Sequence, residues 1–184
     1  MGAVRPFTPA KLVTGILIST TDAEPALLEE LSAHFGTIDF RSTTLPFHYS
    51  HYYDNEMGTP IRRFFISFTD LVDPGRLSDI KITTNRIETT FMEEGKRKIN
   101  IDPGLLFLSS FILATAKAYA HRIPLINGIY GEITLLFQKG TFRPVEWTYP
   151  DYRDRDYISI LNSIRGMYMK QLVRLSNPDF SQEE

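Results

Sequence analysis

The amino-acid order predicts an α+β fold: a mostly antiparallel sheet, a βαββαβ first half, an added β-hairpin and a C-terminal helix. Three features point to it. Short apolar runs of strand length are separated by stretches with helical spacing. Two helix starts place a proline directly after an acidic residue, at Glu24-Pro25 and Asp73-Pro74. Period-two alternation returns after residue 129. An aromatic load of 13 Phe, 9 Tyr and 1 Trp suits a core built with strands.

The elements follow in order. Residues 12–19 form a short Val/Ile/Leu-rich run, a buried strand. Thr21-Asp22-Ala23-Glu24 has the form of a capping box, with Pro25 tolerated in the first turn. Leu27, Leu28, Leu31 and Phe35 then keep helical spacing, and Gly36 suits the residue after the helix. A short strand is expected at 38–41, followed by a long loop over 45–60 dense in His, Tyr and acidic residues. Residues 61–68 read as a strand. Asp73-Pro74-Gly75 opens a helix whose buried stripe is Leu77, Ile80, Thr84, Ile87 and Phe91, with Gly95 ending it. Residues 96–102 alternate, Ile99 and Ile101 on one side and Lys98, Asn100 and Asp102 on the other. Strand, helix, strand, strand, helix, strand is the ferredoxin-like order.

Asp102-Pro103-Gly104 repeats the earlier start and predicts a buried helix to about Tyr119, with Asp102 as its cap. The same run permits a strand at 111–115, and periodicity does not separate the two. With so few polar positions, residues 105–116 are buried in either form. Alternation over 129–137, a turn at Lys139-Gly140 and a strand over 141–147 make a hairpin. After a turn at 149–153, the last helix carries Tyr157, Leu161, Ile164, Tyr168 and Leu172 on one face and stops before Asn177-Pro178.

Composition narrows the function classes. At 184 residues the chain has the length of one domain, and 20 basic against 22 acidic residues exclude the basic face of a broad nucleic-acid binder. With no cysteine there is no disulfide, thiolate metal site or cysteine nucleophile. No signal-peptide pattern follows the N-terminus, and Pro6 stands where myristoylation wants Ser or Thr. The longest apolar run, 104–116, falls short of the roughly 20 residues of a membrane span. The expectation is a cytoplasmic protein with no membrane partner.

Several blocks together resemble a known family. They are Phe47-His48-Tyr49-Ser50-His51-Tyr52-Tyr53 with Glu56-Met57-Gly58, and Arg63-Phe64-Phe65. Lys81 with Thr84-Asn85-Arg86-Ile87-Glu88, and Lys98-Ile99-Asn100-Ile101-Asp102-Pro103-Gly104, continue the match. His121-Arg122-Ile123, Gly128-Ile129-Tyr130 with Glu132, and Trp147-Thr148-Tyr149-Pro150-Asp151-Tyr152-Arg153 complete it. The order resembles an uncharacterised bacterial family, domain of unknown function 4416, over nearly the whole chain. Ser50 and Gly131 stand where Thr and Ala are expected. The resemblance implies no established activity. Members often carry a GTP-binding label, yet this chain has no Gly-x-x-x-x-Gly-Lys-Ser/Thr run to cradle phosphates.

The residues offer one candidate site. His48 and His51 are the groups that titrate near neutrality and, with Glu132, the candidate acid–base residues. Tyr52, Glu56, Arg63, Asn100, Asp102 and Tyr130 are the candidate ligand-binding residues, with Arg63 as a planar anchor for an anion. Lys81, Asn85 and Glu88 share a helical stripe, which is either a solvated flank or faces the polar side of Lys98, Asn100 and Asp102. His48-Tyr49-Ser50 has a His-x-Ser form that phosphoesterases use in pairs, and His121-Arg122-Ile123 does not supply the second copy. His48, His51 and Glu56 are residue types that ligate divalent metals but lack the spacing of a metal motif, so no metal site is assigned, and the cofactor stays open. Two function classes remain. One is recognition, with or without turnover, of a small polar or phosphorylated ligand. The other is a non-catalytic protein-interaction or assembly domain, and the oligomeric state stays open. They separate on whether His48, Tyr52, Arg63, Asn100 and Glu132 line a common pocket.

Overall fold

The computed structural model describes residues 2–177. Its strands are β1 (Ala10–Ile18), β2 (Ile38–Arg41), β3 (Leu45–Pro46), β4 (Arg62–Val72), β5 (Ile99–Leu106), β6 (Ser110–Thr115), β7 (Ile123–Pro124), β8 (Tyr130–Gln138) and β9 (Thr141–Pro144). The helices are α1 (Glu24–Phe35), α2 (Asp54–Met57), α3 (Leu77–Thr90) and α4 (Arg155–Ser176). All nine strands form one sheet in the order β2-β4-β1-β5-β6-β8-β7, with β3 on β4 and β9 on β8. Every pairing is antiparallel. Within it, β2-β4-β1-β5 has the ferredoxin-like arrangement, in which the last strand of βαββαβ lies beside the first.

Each face of the sheet has its own core. Leu12, Ile16 and Ile18 of β1, with Ile99 and Ile101 of β5, pack under Leu27 and Leu31 of α1 and Ile80 and Ile87 of α3. Both crossover helices therefore lie on one face, as right-handed βαβ connections require. Val13, Phe65, Phe111 and Leu135 point the other way, onto Tyr157, Leu161 and Ile164 of α4. All nine residues of β1 are buried because it is covered on both faces and paired on both edges. No helix among the described residues is long and apolar enough to cross a membrane.

Local signals hold at Asp73, whose carboxylate accepts the Gly75 N–H (2.8 Å), and at Gly36, with φ of 89°. Lys139 and Gly140 close the β8–β9 hairpin with φ of 51° and 82°. The helix α4 ends at Ser176, before Asn177, and Pro178 lies outside the described residues.

Three expectations are corrected. The capping box at Thr21 does not form, since Glu24 is taken by Arg41 of β2 (Nε to Oε1, 2.8 Å). The helix α3 stops at Thr90, short of Gly95. The largest change is at Asp102-Pro103-Gly104, which opens no helix and lies inside β5. The alternation begun at Ile99 and Ile101 runs on to Leu105, and β1 pairs with β5 from Ile18↔Ile99 to Lys11↔Leu106. That long ladder overrides the local cap preference. Gly104 is needed there for packing, because a Cβ would meet the Phe111 ring at 2.6 Å and the Ile112 carbonyl at 2.9 Å. Residues 105–116 become a strand, a turn and a strand, with Leu106, Phe111 and Leu113 buried.

Candidate functional site

The site begins where two strands part. The β5–β6 ladder covers only Gly104–Leu106 against Phe111–Leu113. Alternation of backbone polar groups along β5 turns the nitrogen of Pro103 toward β6, and it has no N–H to continue the ladder. One step further along, Ile101 bonds to side chains of α3: its N–H donates to Glu88 Oε1 and its carbonyl accepts from Lys81 Nζ, both at 2.8 Å. The two side chains take the place of a missing strand, which explains why Lys81 and Glu88 are buried on a helix.

The opening forms a cavity of about 710 Å³. It is lined from α3 by Lys81, Asn85 and Glu88, from β5 by Asn100 and Asp102, from β4 by Arg63 and from β8 by Glu132. Tyr49, Tyr52 and Tyr53 of the long loop and Tyr149, Asp151 and Tyr152 before α4 complete the wall, with Lys117 beyond β6. The expected stripe of Lys81, Asn85 and Glu88 thus meets Asn100 and Asp102 in one cavity.

At its base, Arg63 is 2% exposed and its fork holds two carboxylates, Nη1 to Asp102 Oδ2 and Nη2 to Asp151 Oδ2, each at 3.0 Å. The rings of Phe47, Phe65, Tyr152 and Tyr157 surround the guanidinium at 5.6–5.9 Å. Gly15 of β1 leaves room for it, since a Cβ there would lie 2.7 Å from Arg63 Nη1 and 2.8 Å from the Tyr152 hydroxyl. Arg63 is a clamp on two aspartates through Nη1 and Nη2, and its buried Nε is left without a partner.

The two aspartates respond oppositely to this shared cation. Burial pushes the Asp102 carboxyl up, but Arg63 and Lys81 together outweigh it and hold the group below its ordinary value. Burial of Asp151 outweighs Arg63 and raises that carboxyl. Glu88 is likewise raised by burial, against the pull of Lys81. The signs of the pH dependence follow. Asp102 contributes stability that is present above its unfolded pKa of about 3.9 and is lost as pH falls through the lower folded value. For Asp151, whose folded pKa is raised, stability falls as pH rises through it. Tm measured from about pH 3 to pH 6 should show the wild type gaining on Asp102→Asn and losing ground to Asp151→Asn as pH rises. Slopes of the same sign for both variants would contradict the assignment.

On the opposite wall Glu132 is 1% exposed. Its Oε2 accepts from Arg122 Nε (2.6 Å) and lies 3.2 Å from His121 Nε2, while its buried Oε1 has no hydrogen-bond partner. The His121 ring stacks on Trp147 with centroids 5.0 Å apart, and Arg122 Nη2 also donates to the Tyr149 hydroxyl (2.5 Å). Burial and the nearby Glu132 carboxylate push that hydroxyl up to about 12, so it stays protonated. At the mouth, Lys117 Nζ lies 4.4 Å from the centre of the Tyr52 ring.

Of the residues proposed from sequence, Tyr52, Arg63, Asn100, Asp102 and Glu132 line this cavity. Glu56 stands behind it, forking onto Arg97 (2.6 and 2.7 Å), which in turn reaches Glu88 and Asn100. Tyr130 is half-buried on β8 and is not among the lining residues. His48 and His51 are exposed and line a different cavity, so the acid–base role expected of them has no place beside Glu132. Asp151 and Arg97 are site residues that the sequence reading does not single out. Gly15, a glycine inside an otherwise bulky strand, is the sequence signal for a close approach, made here by Arg63 and Tyr152. Among the described residues no group of three His, Cys, Asp or Glu side chains is arranged to hold a metal ion.

A family model described as "Domain of unknown function (DUF4416)" matches residues 8–168. No curated protein and no solved structure matches the chain.

Proposed function

We propose that this chain, which belongs to the domain of unknown function 4416 family, binds a small polar ligand bearing hydroxyl or amine donors in the cavity between β5 and β6. The observation that carries this reading is the buried, unpartnered Oε1 of Glu132. A buried acceptor left without a donor is costly, and a ligand donor would satisfy it. Beside Glu132 an anion would meet a buried carboxylate, and most of the lining cations already hold carboxylates. Arg63 is engaged by Asp102 and Asp151, Arg97 by Glu56 and Glu88, and Lys81 lies 3.9 Å from Glu88. Tyr52, Tyr53 and Tyr149 give the mouth flat apolar faces with polar tips, suited to a sugar or a base. The volume lies within the range of roughly 300–1,000 Å³ usual for small-molecule sites. A protein-interaction domain, the other class, gives no reason for the unpaired carboxylate oxygen. If the ligand is turned over, Asp102 and Asp151, pushed in opposite directions, are the pair placed to handle protons.

A thermal-shift panel tests the reading. Sugars, amino sugars and nucleosides are compared with their phosphorylated counterparts and with apolar molecules of equal size. A ligand at a hundred times its Kd stabilises by about 2.7 kcal/mol, or roughly 5–10 °C in Tm here. Glu132→Gln should weaken that ligand about tenfold by removing the charge on the acceptor. No response from any hydroxyl- or amine-bearing member, or equal responses in Glu132→Gln, would overturn it.

A further inference from the structure

On the far side of the long loop lies a second cavity, of about 720 Å³, lined by residues between Thr44 and Arg62. It shares Phe47 and Ser50 with the first cavity, so the two lie back to back across residues 47–50. Arg62 precedes Arg63 on β4, and alternation sends its side chain to the opposite face of the sheet. There its surroundings differ sharply from those of its neighbour. Both arginines leave Nε buried and without a partner, but Arg63 holds two carboxylates through its Nη atoms, whereas Arg62 makes no ion pair among the described residues. The cavity's one lining carboxylate, Asp54, is bonded to His51 Nδ1 at 2.7 Å. His48, Ser50 and His51 also line this cavity.

We infer that this second cavity is an oxyanion site, in which the Arg62 guanidinium, supported by His48 and His51, binds a phosphate group. The planar fork of arginine matches a tetrahedral oxyanion through two parallel N–H donors, and a buried N–H without an acceptor calls for one. Imidazole N–H and serine O–H groups on the lining add further donors. The Asp54 carboxylate would repel an anion if it were free, but His51 engages it. This assigns His48 and His51 a binding role separate from the Glu132 cavity. The phosphate is either free or the phosphoryl end of a larger molecule, and the chemistry of the site is the same for both.

The experiment is a titration of the whole chain with inorganic phosphate and, separately, with glycerol 3-phosphate, followed by phosphorus NMR and by calorimetry. Arg62→Gln should weaken both probes about tenfold or more, the loss of one charge-assisted fork, and His48→Asn by a smaller factor. Glu132→Gln should leave both unchanged. A tighter fit of the ester identifies a phosphoryl group on a larger ligand, and equal fits identify free phosphate. Arg62 has no ion pair among the described residues to lose, and circular dichroism checks that Arg62→Gln folds. Absence of phosphate binding at millimolar concentration overturns the inference. So does binding that survives Arg62→Gln, and so does binding that tightens in Glu132→Gln, which would place the anion beside that carboxylate in the first cavity.

Discussion

Arg63→Met is expected to lower the unfolding free energy by about 3–5 kcal/mol, the usual cost of breaking a buried ion pair from one side. At this chain length that is a fall in Tm of roughly 6–20 °C. The variant keeps the apolar stem within its aromatic cage but leaves Asp102 and Asp151 facing each other without their cation. Since the same fork orients both aspartates on the cavity wall, the ligand-induced shift in Tm should vanish as well. Adding Asp102→Asn and Asp151→Asn to Arg63→Met removes the orphaned charges and should restore much of the stability without restoring binding. Denaturant unfolding of the single and triple variants checks this. A single variant within about 1 kcal/mol of wild type would show that the clamp does not hold the site together.

The second large effect lies at the other end of the β1–β4 pair. Lys11 is fully buried, pairs with Asp39, and donates to the Phe68 carbonyl (2.6 Å) and to Gln171 Oε1 (2.9 Å). One ammonium thereby ties β1 to β2, β4 and α4. Lys11→Met should cost about 3 kcal/mol, at the low end for a broken buried pair because Asp39 is partly exposed and can rehydrate. In contrast to Arg63→Met, it should leave the ligand-induced Tm shift intact. Loss of that response in a folded Lys11→Met would mean that the ligand reads the whole sheet rather than the cavity.

The order of elements was legible because strand runs and helical stripes are strictly periodic: Leu77, Ile80, Thr84 and Ile87 are buried as their spacing predicts. Asn100, Asp102 and Glu132 were legible as site residues because alternation sets them apart from the apolar face of their strands. What local sequence did not reveal was the parting of β5 and β6. Asp102-Pro103-Gly104 has the same local chemistry as Asp73-Pro74-Gly75, yet the first lies in a strand and the second opens a helix. The difference is the ladder with β1, a contact distant in sequence. Arg63 looked like a free anion anchor because its two partners come from Asp102 and Asp151, far along the chain. The histidine-rich loop drew attention by composition, and its tyrosines line the first cavity while His48 and His51 line a separate one.

The most direct measurement of the central claim is a backbone amide NMR map of the chain titrated with the hydroxyl- or amine-bearing molecule that gives the largest Tm shift. Binding between β5 and β6 predicts shift changes concentrated in residues 99–103, 113–117, 130–133 and 149–153, with Gly15 responding through Arg63. Changes confined to residues 44–62, to the β2 edge or to α4, with those segments silent, would contradict it.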